Sequence, residues 1–158
     1  MGKEAGQKAE MFFSSLLYKA GLDYTFEDVW YDYKVEGQKV ELKSCQMTIK
    51  HSYSKKCKRK KDHSSYRIGR FVFSSQENRE KALKENIWIA LLVRHGNQFI
   101  IYGFLRAKDV ENNRYLTLHK ARELKPLRWK EWLKQLGFIP KKRDCPYCGR
   151  KIEQSEDR

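Results

Sequence analysis

The sequence contains no long apolar segment. No window approaches the roughly 18 consecutive apolar residues that a membrane-spanning helix needs. The first residues, Met1-Gly2-Lys3-Glu4, lead directly into an amphipathic pattern and lack the apolar stretch of a secretory signal. We therefore expect an intracellular, cytoplasmic protein that makes no use of a membrane.

Cysteine is scarce, and without an export signal disulfides are not expected in a reducing compartment. The four cysteines are Cys45, Cys57, Cys145 and Cys148. Cys145 and Cys148 have the C-x-x-C spacing of half a zinc site. The two missing ligands could come from a partner subunit or from this chain, in which the candidates are Cys45, Cys57, His51 and His63. The alternative is a reduced, metal-free tail. No pattern pairs a cysteine with a histidine base, so a cysteine nucleophile is not expected.

Acidic residues are too few to balance the basic ones. The chain has 34 lysines and arginines against 20 acids, a net charge of +14. Such an excess destabilises a compact fold by self-repulsion unless a polyanion binds, and nucleic acid is the natural polyanion. The alternatives are an inert basic surface or attraction to an anionic membrane.

The positive charge is concentrated in residues 50–70. This segment carries nine basic side chains and one acid, Asp62, which is +8 of the total charge. It has few aliphatic residues, so we expect an exposed loop, with Tyr53 and Tyr66 as stacking surfaces between the cations. This clustering favours DNA contact over a merely solvated charge run. The proposed DNA-binding residues are Lys55, Lys56, Lys58, Arg59, Lys60, Lys61, Arg67 and Arg70.

Periodicity predicts a mixed α/β domain with a central sheet flanked by helices. The predicted order is a helix over 3–20, strands over 29–35 and 39–44, the basic loop, a strand over 70–73, a helix from Ser74 to about Glu85, strands over 87–93 and 98–104, and a helix from Pro126 to before Gly137. The Ser74 helix is predicted from a capping box with Glu77. Trp129 and Trp132 are predicted to pack in the core. Residues 1–140 are expected to form one domain, and residues 141–158 a polar tail.

The first two strands are predicted to form an antiparallel hairpin about Glu36-Gly37, because glycine suits the positive φ of tight turns. Alternation then places Glu41 and Lys43 on one face of the second strand. The same symmetry places Asp32 opposite Glu41. Two carboxylates that close are natural ligands of a divalent metal, and Lys43 can reach the same point. A solvated strand face with surface ion pairs is the alternative.

These elements resemble the PD-(D/E)XK nuclease superfamily. Its core has a helix with a glutamate, a hairpin aspartate and a Glu-x-Lys triplet. Here they correspond to Gly6-Gln7-Lys8-Ala9-Glu10, Tyr31-Asp32 and Val40-Glu41-Leu42-Lys43-Ser44. Within the superfamily the chain is most similar to archaeal Holliday-junction resolvases. The resemblance covers about the first 50 residues well and the later strand–helix–strand order loosely. Tyr31 stands in the place of the proline that gives the motif its name.

The resemblance implies a restriction-endonuclease-like fold over residues 1–140 and hydrolysis of DNA phosphodiester bonds with Mg²⁺ or Mn²⁺. Asp32 and Glu41 would bind the metal, Lys43 would assist the attacking water, and Glu10 would complete the site. Gln46 matches a polar position found after the triplet in some branches.

The implied protein is a homodimer that acts on branched or duplex DNA. Asp28 competes with Asp32 for the aspartate role, but hairpin symmetry favours Asp32. The alternative functions are a sequence-specific restriction or repair nuclease, a nucleic-acid-binding protein that does not cut, and an RNA-directed protein of unrelated fold.

Overall fold

The computed structural model of the chain describes residues 3–50, 66–73, 75–138, 142–144 and 151–153. The helices in this part are α1 (Lys3–Ala20), α2 (Gln76–Glu85), α3 (Ala107–Val110), α4 (Leu118–Glu123) and α5 (Trp129–Gln135). The strands are β1 (Tyr24–Phe26), β2 (Tyr33–Val35), β3 (Gln38–Gln46), β4 (Thr48–Lys50), β5 (Tyr66–Ile68), β6 (Arg70–Val72), β7 (Trp88–His95), β8 (Gln98–Arg106), β9 (Tyr115–Thr117), β10 (Lys142–Asp144) and β11 (Lys151–Glu153).

The main sheet has five strands in the order β1-β2-β3-β7-β8. β3 and β7 are parallel, whereas the other neighbouring pairs are antiparallel. This confirms the predicted α/β class with a mixed central sheet. β7 is the strand predicted from the apolar run, and its residues Trp88–Val93 are all buried because the sheet is covered on both faces.

Two apolar clusters cover the two faces of the sheet. The first joins Phe13 of α1 and Trp132 of α5 to Val40 and Leu42 of β3. Within it, Trp132 stacks on Phe104 with 4.0 Å between ring centroids, which confirms the predicted packing role of Trp132. The second cluster, on the other face, holds side chains from β6, β9, α3 and α4.

The hairpin between β2 and β3 has the predicted register. Val35 pairs with Gln38 and Tyr33 with Val40, and the turn residues Glu36 and Gly37 both have positive φ, at 49° and 79°. Positive φ at both central residues is the signature of a tight type I′ hairpin. The regular ladder ends at Tyr33, however, so the predicted pairing of Asp32 with Glu41 is not part of it. The Asp32 N–H donates instead to the carbonyl of Val40.

Several predicted boundaries were wrong. The strand expected over 29–35 is limited to Tyr33–Val35. Its outer edge pairs with β1, a strand that was not predicted. The helix cap is Ser75, which accepts from the Asn78 N–H, so the expected Ser74–Glu77 box does not start α2. The last helix begins at Trp129 rather than Pro126, since Leu127 forms a bridge to Phe104.

Other elements were not predicted at all. α3, β9 and α4 lie in a stretch without a strong periodic pattern. The ends of the expected basic loop pair with each other as β4 and β5, while residues 51–65 lie outside the described part. β10 and β11 pair within the expected tail. In the part of the chain that the structure describes, no helix is both long enough and apolar enough to cross a membrane.

Candidate active site

Glu41 and Lys43 project from the same face of β3, as alternation predicts. Their side chains form an ion pair with 3.0 Å between Lys43 Nζ and Glu41 Oε2. Glu41 is only 8% exposed, which is rare for a charged side chain. Lys43 also lies over the ring of Phe73, 5.8 Å from its centroid. The pair is therefore held in a partly dry environment, where electrostatic interactions are stronger than in water.

Asp32 lies beside this pair, immediately before β2. Its Oδ2 accepts a hydrogen bond of 2.7 Å from the N–H of Leu42, the residue between Glu41 and Lys43. Burial raises the pKa of Asp32 to about 6, and the negative charge of Glu41 adds to that rise. The Leu42 N–H and the Lys43 ammonium oppose it. A fraction of Asp32 is thus protonated close to neutral pH.

Glu10 approaches the same region from α1. Burial raises the pKa of its carboxyl group, with a further contribution from the charge of Asp28. Glu10 in turn contributes to the raised pKa of Asp32. The helix is attached to the hairpin at this point, because the hydroxyl of Tyr33 donates to the Glu10 carbonyl at 2.9 Å. Asp28, the competing aspartate, lies in the loop after β1 with a φ of 46° and is exposed.

These side chains line one open cleft of about 160 Å³. It lies between the first half of α1, the hairpin and the start of α2. The residues that line it are Gly6, Ala9, Glu10, Val29, Trp30, Asp32, Glu41, Leu42, Lys43, Ser44 and Asn78. The fold therefore brings together four of the five predicted catalytic residues. Gln46 does not line the cleft. It lies at the far end of β3, where its backbone is opposite Arg94 of β7.

Asn78 and Trp30 line the cleft but were not singled out from the sequence. Asn78 is the third residue of α2 and borders the cleft. Its backbone N–H donates to the hydroxyl of Ser75, the residue that caps the helix. A correctly placed helix start would have drawn attention to Asn78. Trp30 precedes the Tyr31-Asp32 pair, and no local pattern predicts which way its ring faces.

The other predicted site residues lie mostly outside the described part. These are Lys55, Lys56, Lys58, Arg59, Lys60, Lys61, Cys145 and Cys148. The backbone of Arg67 lies in β5, and Arg70 lies on β6. Cys45 is buried and its thiol has a pKa raised by burial to about 12, so it is a poor source of the thiolate that zinc binds.

The carboxylates of the cleft fit a hard divalent cation. Within the described residues there is no group of three or more histidine, cysteine, aspartate or glutamate side chains that could hold a metal. Mg²⁺ does not require one, since it is commonly bound by one or two carboxylates, with waters and substrate phosphates as the remaining ligands. Asp32 and Glu41 both supply oxygen atoms to one cleft. The mutual repulsion that helps to raise the pKa of Asp32 is what a cation would relieve.

Comparisons of the chain with protein-family models, with curated proteins and with solved structures found no match in any of the three.

Proposed function

We propose that this protein is a metal-dependent endonuclease that hydrolyses phosphodiester bonds in DNA, with a restriction-endonuclease-like core. The observation that carries the proposal is the convergence of Asp32, Glu41 and Lys43 on one cleft. Two carboxylates and an ammonium group are the side chains needed to bind a divalent cation and to stabilise charge on a phosphate. A solvated strand face does not account for a glutamate that is 8% exposed.

Each residue has a distinct role in this proposal. Asp32 and Glu41 would hold Mg²⁺ or Mn²⁺, which supplies Lewis acidity and lowers the pKa of water when bound. Lys43 would orient the attacking water or neutralise charge that develops on the phosphate. Its ion pair with Glu41 keeps the ammonium group at the cleft. Glu10 would add a further carboxylate from α1.

DNA is the proposed substrate because of the charge balance of the chain. The net charge of +14 favours a polyanion, and the basic segment follows β3 directly in the sequence. The resemblance to Holliday-junction resolvases makes branched DNA the first substrate to test. It also suggests a homodimer, which would place two clefts against two strands. A restriction or repair nuclease would use the same residues.

The decisive test is cleavage of labelled four-way-junction, flap, linear duplex and single-stranded DNA, with Mg²⁺, with Mn²⁺ and with chelator. Wild type would be compared with Glu41→Gln, which removes the buried carboxylate charge. Glu123→Gln is the matched control, because that side chain is 70% exposed on α4. We expect metal-dependent cutting that is lost in Glu41→Gln and kept in the control.

The preferred substrate would separate the junction-resolving role from the restriction or repair role. Tight binding of DNA without cutting of any substrate by the wild type would refute the nuclease and leave a binding protein. Binding that requires RNA rather than DNA would point to the RNA-directed alternative.

A further inference from the structure

A small two-stranded ribbon lies beside the candidate active site. β6 and β9 pair antiparallel, with Phe71 opposite Leu116 and Val72 opposite Tyr115. Phe71 and Leu116 are buried in the second apolar cluster. Alternation therefore turns Val72 and Tyr115 outward, and both are exposed, at 48% and 42%. The ribbon thus has one face in the core and one face available to a partner.

The outward face carries two arginines around one aromatic ring. The guanidinium carbon of Arg70 lies 4.1 Å from the centroid of Tyr115, and that of Arg114 lies 5.5 Å from the same centroid. Cation–π contact holds each guanidinium in a defined place. Among the described residues, neither guanidinium forms an ion pair or a hydrogen bond. All of their N–H donors are therefore available to an anion.

Two neighbouring cations with no counter-ion in the described part of the chain repel each other, and a bound phosphate would remove that repulsion. Arginine suits this ligand because its planar fork can donate two parallel hydrogen bonds to phosphate oxygens. The Tyr115 ring positions both guanidinium groups before a ligand binds, so less side-chain entropy is lost when they contact a phosphate.

The position of the ribbon favours a polymer over a free phosphate ion. Gly69, just before β6, donates its N–H to the carbonyl of Met47 at the end of β3. Phe73, just after β6, contacts Lys43 of the cleft. The ribbon therefore runs along β3 next to the cleft, where one nucleic-acid strand could reach both surfaces.

We infer that Arg70 and Arg114, held against Tyr115, bind a backbone phosphate of the nucleic acid whose scissile bond occupies the cleft. This inference rests on the proposed function and adds to it a positioning contact outside the reacting groups. Arg114 and Tyr115 are not part of the Glu-x-Lys motif. Of the three residues, only Arg70 lies within the basic segment, residues 50–70.

The test is the salt dependence of DNA binding by the full chain, measured by fluorescence anisotropy in chelator so that no cutting occurs. Removing a phosphate contact reduces the slope of log affinity against log salt by about 1. We expect that reduction, or a larger one, in the Arg70→Gln, Arg114→Gln double variant. Lys134→Gln, which removes an exposed charge from α5 on the opposite face of the sheet, should leave the slope unchanged.

Tyr115 provides a second measurement. Tyr115→Phe keeps the ring and should preserve affinity, whereas Tyr115→Leu keeps bulk without the ring and should weaken binding. Thermal melts of each variant would show that the fold is retained. If Tyr115→Phe and Tyr115→Leu have the same affinity for DNA, the ring does not position the arginines and the inference is overturned.

The remaining outcomes separate this inference from the proposed function. If the wild type binds and cuts DNA but the double arginine variant keeps its salt slope, only the phosphate contact is refuted. If the wild type binds no nucleic acid, both are refuted. If the double arginine variant keeps its DNA binding but loses the binding of the wild type to vesicles of anionic phospholipid, the two arginines bind a membrane surface and the inference is overturned.

Discussion

The Asp32 carboxylate accepts a 2.7 Å hydrogen bond from the backbone N–H of Leu42, between Glu41 and Lys43. This bond ties the aspartate to the strand that carries the other two polar groups of the cleft. It favours the charged form of Asp32, but burial outweighs it and the pKa still rises to about 6. The charged form of Asp32 is therefore held in place at a cost to the stability of the protein.

The first prediction concerns that cost. The folded-state pKa of Asp32 lies above the ordinary value of 3.8, so the folded protein binds the proton more tightly than the unfolded chain. The contribution of Asp32 to the stability of the protein must then fall as pH rises from about 4 through about 6. Asp32→Asn removes the penalty and can still accept from the Leu42 N–H, so we expect it to stabilise the protein by up to about 3 kcal/mol at pH 8.

Urea denaturation in chelator at pH 4 and pH 8 would measure this difference. At the lower pH the variant and the wild type should have similar stability, because Asp32 is protonated in the folded state. Asp23→Asn, at an exposed site outside the cleft, should have little effect at either pH. A variant less stable than wild type at pH 8 would mean that the Asp32 charge stabilises the fold.

The second prediction concerns metal affinity and pH. A carboxylate must lose its proton to bind a metal, so Mn²⁺ affinity should rise as pH increases through about 6 and then level off. Calorimetric titration across this range would show the rise together with proton release. The dependence should be much flatter in Asp32→Asn. An equally steep dependence in that variant would assign the proton to another group, such as Glu10.

The third prediction separates the role of Lys43 from metal binding. Lys43→Gln removes the ammonium group and leaves both carboxylates, so we expect the cleavage rate to fall by roughly 10²–10³. Metal affinity should be kept or increased, because Glu41 loses a competing cation. Single-turnover cleavage and metal titration measure the two effects separately.

Lys39→Gln is the matched control for that variant. Lys39 lies on the same strand and the same face, but it pairs with Glu85 and does not line the cleft. Its replacement should change cleavage little. Loss of metal binding in Lys43→Gln would show that the lysine organises the site rather than assisting the reaction.

The fourth prediction concerns the close approach of β6 to β3. A Cβ added at Gly69 would lie 1.8 Å from the backbone oxygen of Gln46, so the two strands would have to separate. We expect Gly69→Ala to destabilise the protein by about 2 kcal/mol or more. Gly6→Ala is the control, because nothing lies within 4 Å of its added Cβ in α1.

Alanine in place of a helical glycine should raise stability by up to about 1 kcal/mol. Thermal melts of the two variants would therefore shift in opposite directions. A Gly69→Ala protein as stable as the wild type would contradict the close packing of the ribbon against β3.

Local pattern was sufficient where one short segment decides the structure. The Glu36-Gly37 turn sets the register of β2 and β3, and strict alternation then places Glu41 and Lys43 on one face. The continuous apolar run identified β7 as the central strand. The three residues of the motif are predictable from the sequence, because all of them lie in or beside one hairpin.

Local pattern failed where pairing with another segment, rather than the segment's own residues, defines a strand. β1 and β9 are two of the strands that were missed. β1 pairs with β2, and β9 pairs with β6 across more than 40 residues of chain, so neither β1 nor β9 is stable enough alone to leave a clear signal. The helix start shifted from Ser74 to Ser75 because two adjacent serines offer the same capping chemistry.

The sequence by itself determined the class of fold, the central hairpin and the carboxylate–lysine triplet, because turn chemistry and side-chain alternation act over a few residues. The tertiary structure decided that Glu10 and Asn78 border the same cleft as the triplet, and that Asp32 is bonded to Leu42. It also decided that Arg70 and Arg114 share one ring. These contacts join residues from separate elements, and only the assembled core fixes the distances between them.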